Sequence, residues 1–121
     1  MSSKKILVAD DSVASRELIR EVLEMSSYDV IEATNGEEAL RSVEENAPDL
    51  VLVDIQMPRL DGYGVLRRLR ADPRFANLLV VALTAFAMQG DRERALDAGF
   101  DGYITKPVDI ASLRQEIRRF L

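Results

Sequence analysis

The 121-residue sequence contains no cysteine, no histidine and no tryptophan. Without cysteine there is no disulfide framework and no thiolate metal site. This fits a reducing cytosol, and a cytoplasmic location is expected. Without histidine the commonest general base is missing, and the chain cannot carry a phosphohistidine of its own. No apolar run is long enough to span a bilayer. Only four apolar residues follow Met1-Ser2-Ser3-Lys4-Lys5, too few for a signal peptide. Basic residues are the minority: 16 Lys and Arg stand against 21 Asp and Glu, for a formal net charge of -5. A nucleic-acid binder needs a basic stripe or patch to displace counterions. Neither nucleic acid nor membrane is therefore an expected partner. Repeats, low-complexity tracts and linkers are also missing.

What is present is ordinary for a globular domain: 47% hydrophobic and 31% charged residues. The length suits one core, so residues 1–121 are read as a single domain. Short apolar runs alternate with helix-like segments. Ile6-Ala9 is the first run, followed by a helical stripe of Ala14, Leu18, Ile19, Val22 and Leu23 that Ser26-Ser27 ends. Asp29-Ala33 is a weaker strand at or near a sheet edge. Asn35 is placed as a helix N-cap with Glu38 at capping-box spacing. Ala39, Leu40 and Val43 form the buried face of that helix, and Ala47-Pro48 stops it. Leu50-Val53 leads into Asp54. A helix around Val65-Arg70 follows and closes at Asp72-Pro73. Leu78-Leu83 is a fourth strand. Asp91-Ala98 is a helix with Gly99 at its end. Tyr103-Ile104 lies in a fifth strand. Asp109 caps a last helix with Leu113, Ile117 and Phe120 turned inward.

Five such βα units predict a flavodoxin-like (βα)5 α/β fold: a five-stranded parallel sheet with helices on both faces. The common strand order is 2-1-3-4-5. Ligands in these sheets bind beyond the carboxyl ends of the strands, where the order reverses, here between strands one and three. Each apolar run ends in a polar residue on that edge. Strand one ends at Asp10-Asp11, strand three at Asp54, strand four at Thr84, and strand five at Thr105-Lys106-Pro107. Three carboxylates, a hydroxyl and an amine converge. Carboxylates that close repel one another, and a hard divalent cation such as Mg²⁺ resolves the conflict. Asp54, at the tip of a buried strand, is the candidate nucleophile. Thr84 supplies a hydrogen bond and Lys106 a point charge.

These residues together resemble the receiver domain of two-component response regulators, the CheY-like family. The carriers are Asp10-Asp11, Asp54 with Met57-Pro58, Asp61-Gly62, Thr84-Ala85, and Tyr103 ahead of Lys106-Pro107. The stretch from Ala82 to Asp91 is especially similar to single-domain receivers of the DivK type and to receivers attached to hybrid histidine kinases. The resemblance implies that Asp54 takes a phosphoryl group from a phosphohistidine on a sensor histidine kinase or histidine phosphotransfer protein. It implies Mg²⁺ held by Asp10, Asp11, Asp54 and the backbone carbonyl of Gln56. Lys106 would pair with Asp54 or its phosphoryl oxygens, and the Lys106-Pro107 bond would be cis. Thr84 would move toward the phosphoryl group and Tyr103 would swing inward behind it. The surface of the fourth helix, fifth strand and fifth helix would then change its affinity for a downstream protein. With no output domain after Leu121, any effect is expected to pass through partners. The chain is expected to be a phosphoacceptor that assists its own phosphorylation and dephosphorylation, not an enzyme that turns over.

Three departures or ambiguities accompany the resemblance. Ser27 stands where many receivers have glycine. Gln56 and Phe86 flank the expected phosphoryl position, where they bear on water access. Phe86 and Met88 suit either a core or an exposed partner surface. Competing readings are weaker. A phosphatase of the haloacid dehalogenase type needs its nucleophile on strand one with a second aspartate two residues later, and Asp10-Asp11-Ser12 lacks that spacing. An FMN binder needs a hydroxyl- and glycine-rich phosphate loop, and Asp10-Asp11 would repel the phosphate. A receiver-like module that is never phosphorylated usually lacks part of the acidic set.

Overall fold

A computed structural model describes residues 3–85 and 88–121. The elements are β1 (Lys5–Ala9), α1 (Val13–Met25), β2 (Asp29–Ala33), α2 (Gly36–Asn46), β3 (Leu50–Asp54), α3 (Gly62–Ala71), β4 (Leu79–Thr84), α4 (Asp91–Ala98), β5 (Gly102–Thr105) and α5 (Ile110–Phe120). A short 3₁₀ turn at Pro73–Phe75, which no periodic signal announces, lies between α3 and β4. The strands pair in parallel in the order β2-β1-β3-β4-β5. This is the order expected as the common one for five-stranded sheets of this kind.

Alternation along each strand divides the core into two layers. Leu7, Ala9, Val51, Val53, Val80 and Ala82 point to one side, against Ala39, Val43, Val65, Leu66, Leu69 and Ala95 of α2, α3 and α4. Ile6, Val8, Leu50, Leu52, Val81 and Leu83 point to the other, against Ile19, Val22 and Leu23 of α1 and Leu113 and Ile117 of α5. The central strand β3 is buried along its whole length, as a strand covered on both faces must be.

Helix ends follow local chemistry. Side chains of Ser12, Asn35, Asp61 and Asp109 each accept a hydrogen bond from a backbone N–H three residues on. Gly99 ends α4 at φ 117°, a left-handed position that suits glycine. Ser27 holds φ 69° at the end of α1 and performs the same turn without being glycine.

Two sequence expectations are corrected. The apolar stripe of α1 is narrower than expected: Ile19, Val22 and Leu23 are buried, but Ala14 and Leu18 face solvent. The capping box of α2 is shifted by one residue. Asn35 Oδ1 accepts from Glu38 N, yet Glu38 reaches back to the N–H and hydroxyl of Thr34.

At the amino-terminal end of the sheet, Arg70 ties the end of α3 to the two connections that precede β4 and β5. Its guanidinium donates to the carbonyls of Phe75, Leu78 and Gly99 and to the carboxylate of Asp101. Asp101 also accepts from Val80 N at 2.9 Å. No helix among the described residues is long and apolar enough to cross a membrane.

Candidate functional site

The opposite edge of the sheet carries the acids. Register sets them level: Ala9 pairs with Val53 and Asp54 with Leu83, so Asp10 and Asp54 leave adjacent strands side by side. One carboxylate oxygen from each of Asp10, Asp11 and Asp54 lies within 4.8 Å of the others. Asp10 is fully buried, Asp54 is nearly so, and Asp11 faces solvent.

Lys106 bridges the two buried acids. Its Nζ lies 2.7 Å from Asp54 Oδ2 and 2.8 Å from Asp10 Oδ2. The remaining oxygens are held by backbone: Asp10 Oδ1 accepts from Ser12 N at 2.9 Å, and Asp54 Oδ1 from Gln56 N at 2.8 Å. Lys106 is placed by its own N–H, which donates to the Thr84 carbonyl at 2.7 Å, and the Lys106-Pro107 bond is cis.

Electrostatics separate the two acids. Burial penalises the charge of both. At Asp10 that penalty is outweighed by Lys106 and by the Ser12 and Ser15 hydrogen bonds, so its pKa falls below the ordinary value. At Asp54 burial prevails over Lys106 and the Gln56 N–H, with Asp10 adding repulsion, so its pKa rises. Burial works against the Lys106 charge too, but its two carboxylate partners win and its pKa rises.

Gly62 opens α3 beneath this edge, and a Cβ there would stand 2.7 Å from the Asp54 carbonyl oxygen and 2.8 Å from Ile55 Cα. Only a residue without a side chain fits under the end of β3. Thr84 ends β4 and is buried. Tyr103 is buried as well, and its pKa rises through burial, then Asp91 and Tyr63. It lines a cavity of about 250 Å³ with Ile55, Gln56, Thr84 and Asp91. Its hydroxyl lies beside Thr84, shielded from solvent and without a well-aligned bond. Gln56 is exposed. Met88 is 73% exposed, which excludes the core alternative for it. Phe86 lies outside the described residues.

The profile of response regulator receiver domains matches residues 6–118. The chain belongs to the response regulator receiver domain family. This receiver domain is 37% identical to the polar-differentiation response regulator DivK of Brucella anthropi, over 98% of this chain and 96% of that protein. Among solved structures it is similar to the receiver domain of a sensor histidine kinase from Pseudomonas aeruginosa. The identity is 35%, the TM-score 0.89, and 98% of each chain is covered. That structure holds a magnesium ion coordinated in its active-site cleft. A chemotaxis protein of Vibrio cholerae shares the fold at a TM-score of 0.91 and 24% identity, covering 99% of this chain and 100% of its own.

Sequence reasoning missed Arg16, whose guanidinium donates to the Asp10 carbonyl at 2.8 Å and pairs with Glu32 at 2.9 Å. A signal was available. A cation near the start of a helix opposes the helix dipole, so its presence there asks for a local partner.

Proposed function

We propose that this receiver domain is a phosphorylation-driven switch in two-component signalling, with Asp54 as phosphoacceptor. The observation that carries the reading is the pairing of a three-carboxylate cluster with a lysine that touches both buried members. All donors in the cluster are oxygens of carboxylates, the donor set that a hard divalent cation takes. Mg²⁺ fits it, and Asp10, Asp11 and Asp54 would hold it together with the Gln56 carbonyl. When bound it would neutralise charge on the phosphoryl oxygens during transfer.

The chain's own residues do the rest. A carboxylate oxygen of Asp54 attacks the phosphorus of a phosphohistidine on a kinase or phosphotransfer protein. An O–P bond forms, the P–N bond breaks, and the imidazole leaves with the bonding electrons. Lys106 holds Asp54 in place beforehand and offers its ammonium to the phosphoryl oxygens afterwards. Thr84 donates its hydroxyl to the same oxygens. The product is an acyl phosphate on the receiver domain, so the chain is a reactant that assists its own modification rather than a turnover enzyme. The absence of cysteine suits a cytoplasmic setting.

The response passes through α4, β5 and α5 to a downstream protein. Within α4 only Ala95 is buried, so little packing holds that helix in one position. Tyr103 of β5 shares a cavity with Thr84 and with Asp91 of α4, so a change at the phosphoryl group can bias both.

Incubation with Mg²⁺ and a small phosphodonor tests the reading. The wild-type chain should gain one acid-labile phosphoryl group by intact-mass spectrometry, and Asp54→Asn should gain none. Equal labelling of the two would overturn it.

A further inference from the structure

We infer that Arg16, locked by Glu32, is a positioning residue for the acidic cluster, fixing the peptide that joins Asp10 to Asp11. The inference rests on the reading of that cluster as a divalent-cation site. Arg16 lies one turn into α1, where the helix dipole disfavours a cation, and the first turn carries no acidic residue to offset it. Its side chain is nonetheless only 13% exposed. Nη1 donates to the Asp10 carbonyl at 2.8 Å, and Nε to Glu32 Oε1 at 2.9 Å. The second oxygen of Glu32 takes Arg20 Nη1 at 2.9 Å, so Glu32 is itself gripped from two sides.

Strand β2 thereby holds both backbone groups of Asp10. The Asp10 N–H donates directly to the Ala33 carbonyl at 3.1 Å. The Asp10 carbonyl is held through Arg16 by Glu32, the residue before Ala33. That carbonyl belongs to the Asp10-Asp11 peptide, whose plane sets the direction in which exposed Asp11 leaves the strand. Buried Asp10 has other anchors in Ser12 and Lys106. The clamp thus sets how two adjacent carboxylates diverge around one ion.

Charge and positioning predict opposite signs. Acting through space, the Arg16 cation repels a divalent ion and its removal tightens binding. As a clamp, its removal weakens binding. Arg16→Lys keeps the charge and loses the two-pronged fork.

The test is a Mg²⁺ titration of the full chain by ¹⁵N chemical shifts, with thermal unfolding in EDTA as the measure of fold. Arg16→Lys should raise the Mg²⁺ Kd about tenfold, the order seen when residues behind metal ligands are changed. Glu32→Gln should shift it the same way by about threefold, and the double variant should bind no more weakly than Arg16→Lys alone, because the two act as one unit. A Kd for Arg16→Lys within about twofold of wild type, or tighter binding by Arg16→Gln, overturns the inference. If Arg16→Lys fails to fold, Arg16→Gln decides it, because loss of its charge alone would tighten binding: weaker binding upholds the clamp, and a wild-type or tighter Kd overturns it. A wild-type chain without a saturable Mg²⁺ response removes the cation site itself, and the clamp with it.

Discussion

Lys106→Met in EDTA isolates the electrostatic design of the site. Met keeps the aliphatic stem and removes the ammonium that lies 2.7 Å from Asp54 and 2.8 Å from Asp10. At an effective dielectric of about 20, each contact is worth about 6 kcal/mol gross. Desolvation offsets most of that, so the net loss comes from the two carboxylates left buried without a cation, about 3–5 kcal/mol. Protonation sets a ceiling. Raising one carboxyl from 3.8 to 7 costs about 4 kcal/mol, after which it goes neutral at pH 7. The expected loss at pH 7 is therefore about 3–4 kcal/mol, or roughly 12 °C in Tm for a chain of this size. A stranded carboxyl has its folded pKa raised. Its penalty is present above that pKa and is relieved as pH falls through it. The loss should thus shrink between pH 7 and pH 5. In an Asp54→Asn background only Asp10 is stranded, and the cost of Lys106→Met should fall by about half. Urea unfolding by far-UV circular dichroism reads each quantity. A loss below about 1 kcal/mol at pH 7, or one that is the same at pH 5, would refute the reasoning.

Two further substitutions follow from the same geometry, beside those at Asp54, Arg16 and Glu32. Asp11→Ala removes an exposed carboxylate and should leave unfolding in EDTA within about 0.5 kcal/mol of wild type. Its Mg²⁺ titration should nonetheless weaken measurably, and an unchanged titration would take Asp11 out of the site. Gly62→Ala drives a Cβ into the backbone of Asp54 and Ile55 and should cost about 2 kcal/mol or more, because neither backbone atom can yield cheaply. A Tm equal to wild type would show that the end of β3 shifts freely.

Much of this was legible because a parallel sheet imposes simple rules. A strand covered on both faces must be apolar throughout, and Leu50-Val53 before Asp54 is that pattern. Once the order is fixed, strands one and three are neighbours, so Asp10 and Asp54 must meet. Cap residues were readable for the same reason of locality: Asn35, Gly99 and Asp109 act within a few residues of themselves. Features that depend on distant partners were not. On α1 the expected stripe ran from Ala14 to Leu23, and only the position of the sheet decides that Ile19, Val22 and Leu23 are buried while Ala14 and Leu18 face solvent. The burial of Tyr103 in a cavity shared with Asp91 and Thr84 arises only in the folded chain. Arg16, on α1, needed Glu32 from β2.

The knot around Arg70 sits at the end of the molecule away from the acids. Three of its four acceptors are carbonyls of connecting segments, at Phe75, Leu78 and Gly99. Exposed connections are normally the safest places to splice in a tag or to open a chain for circular permutation. Here the stretches at 72–78 and 99–101 are moored to a single guanidinium, so cutting either one would loosen both. The turn at 26–28, whose backbone hydrogen bonds all run to the end of α1, is the better place for an engineer to begin, provided Tyr28 keeps its packing on the core.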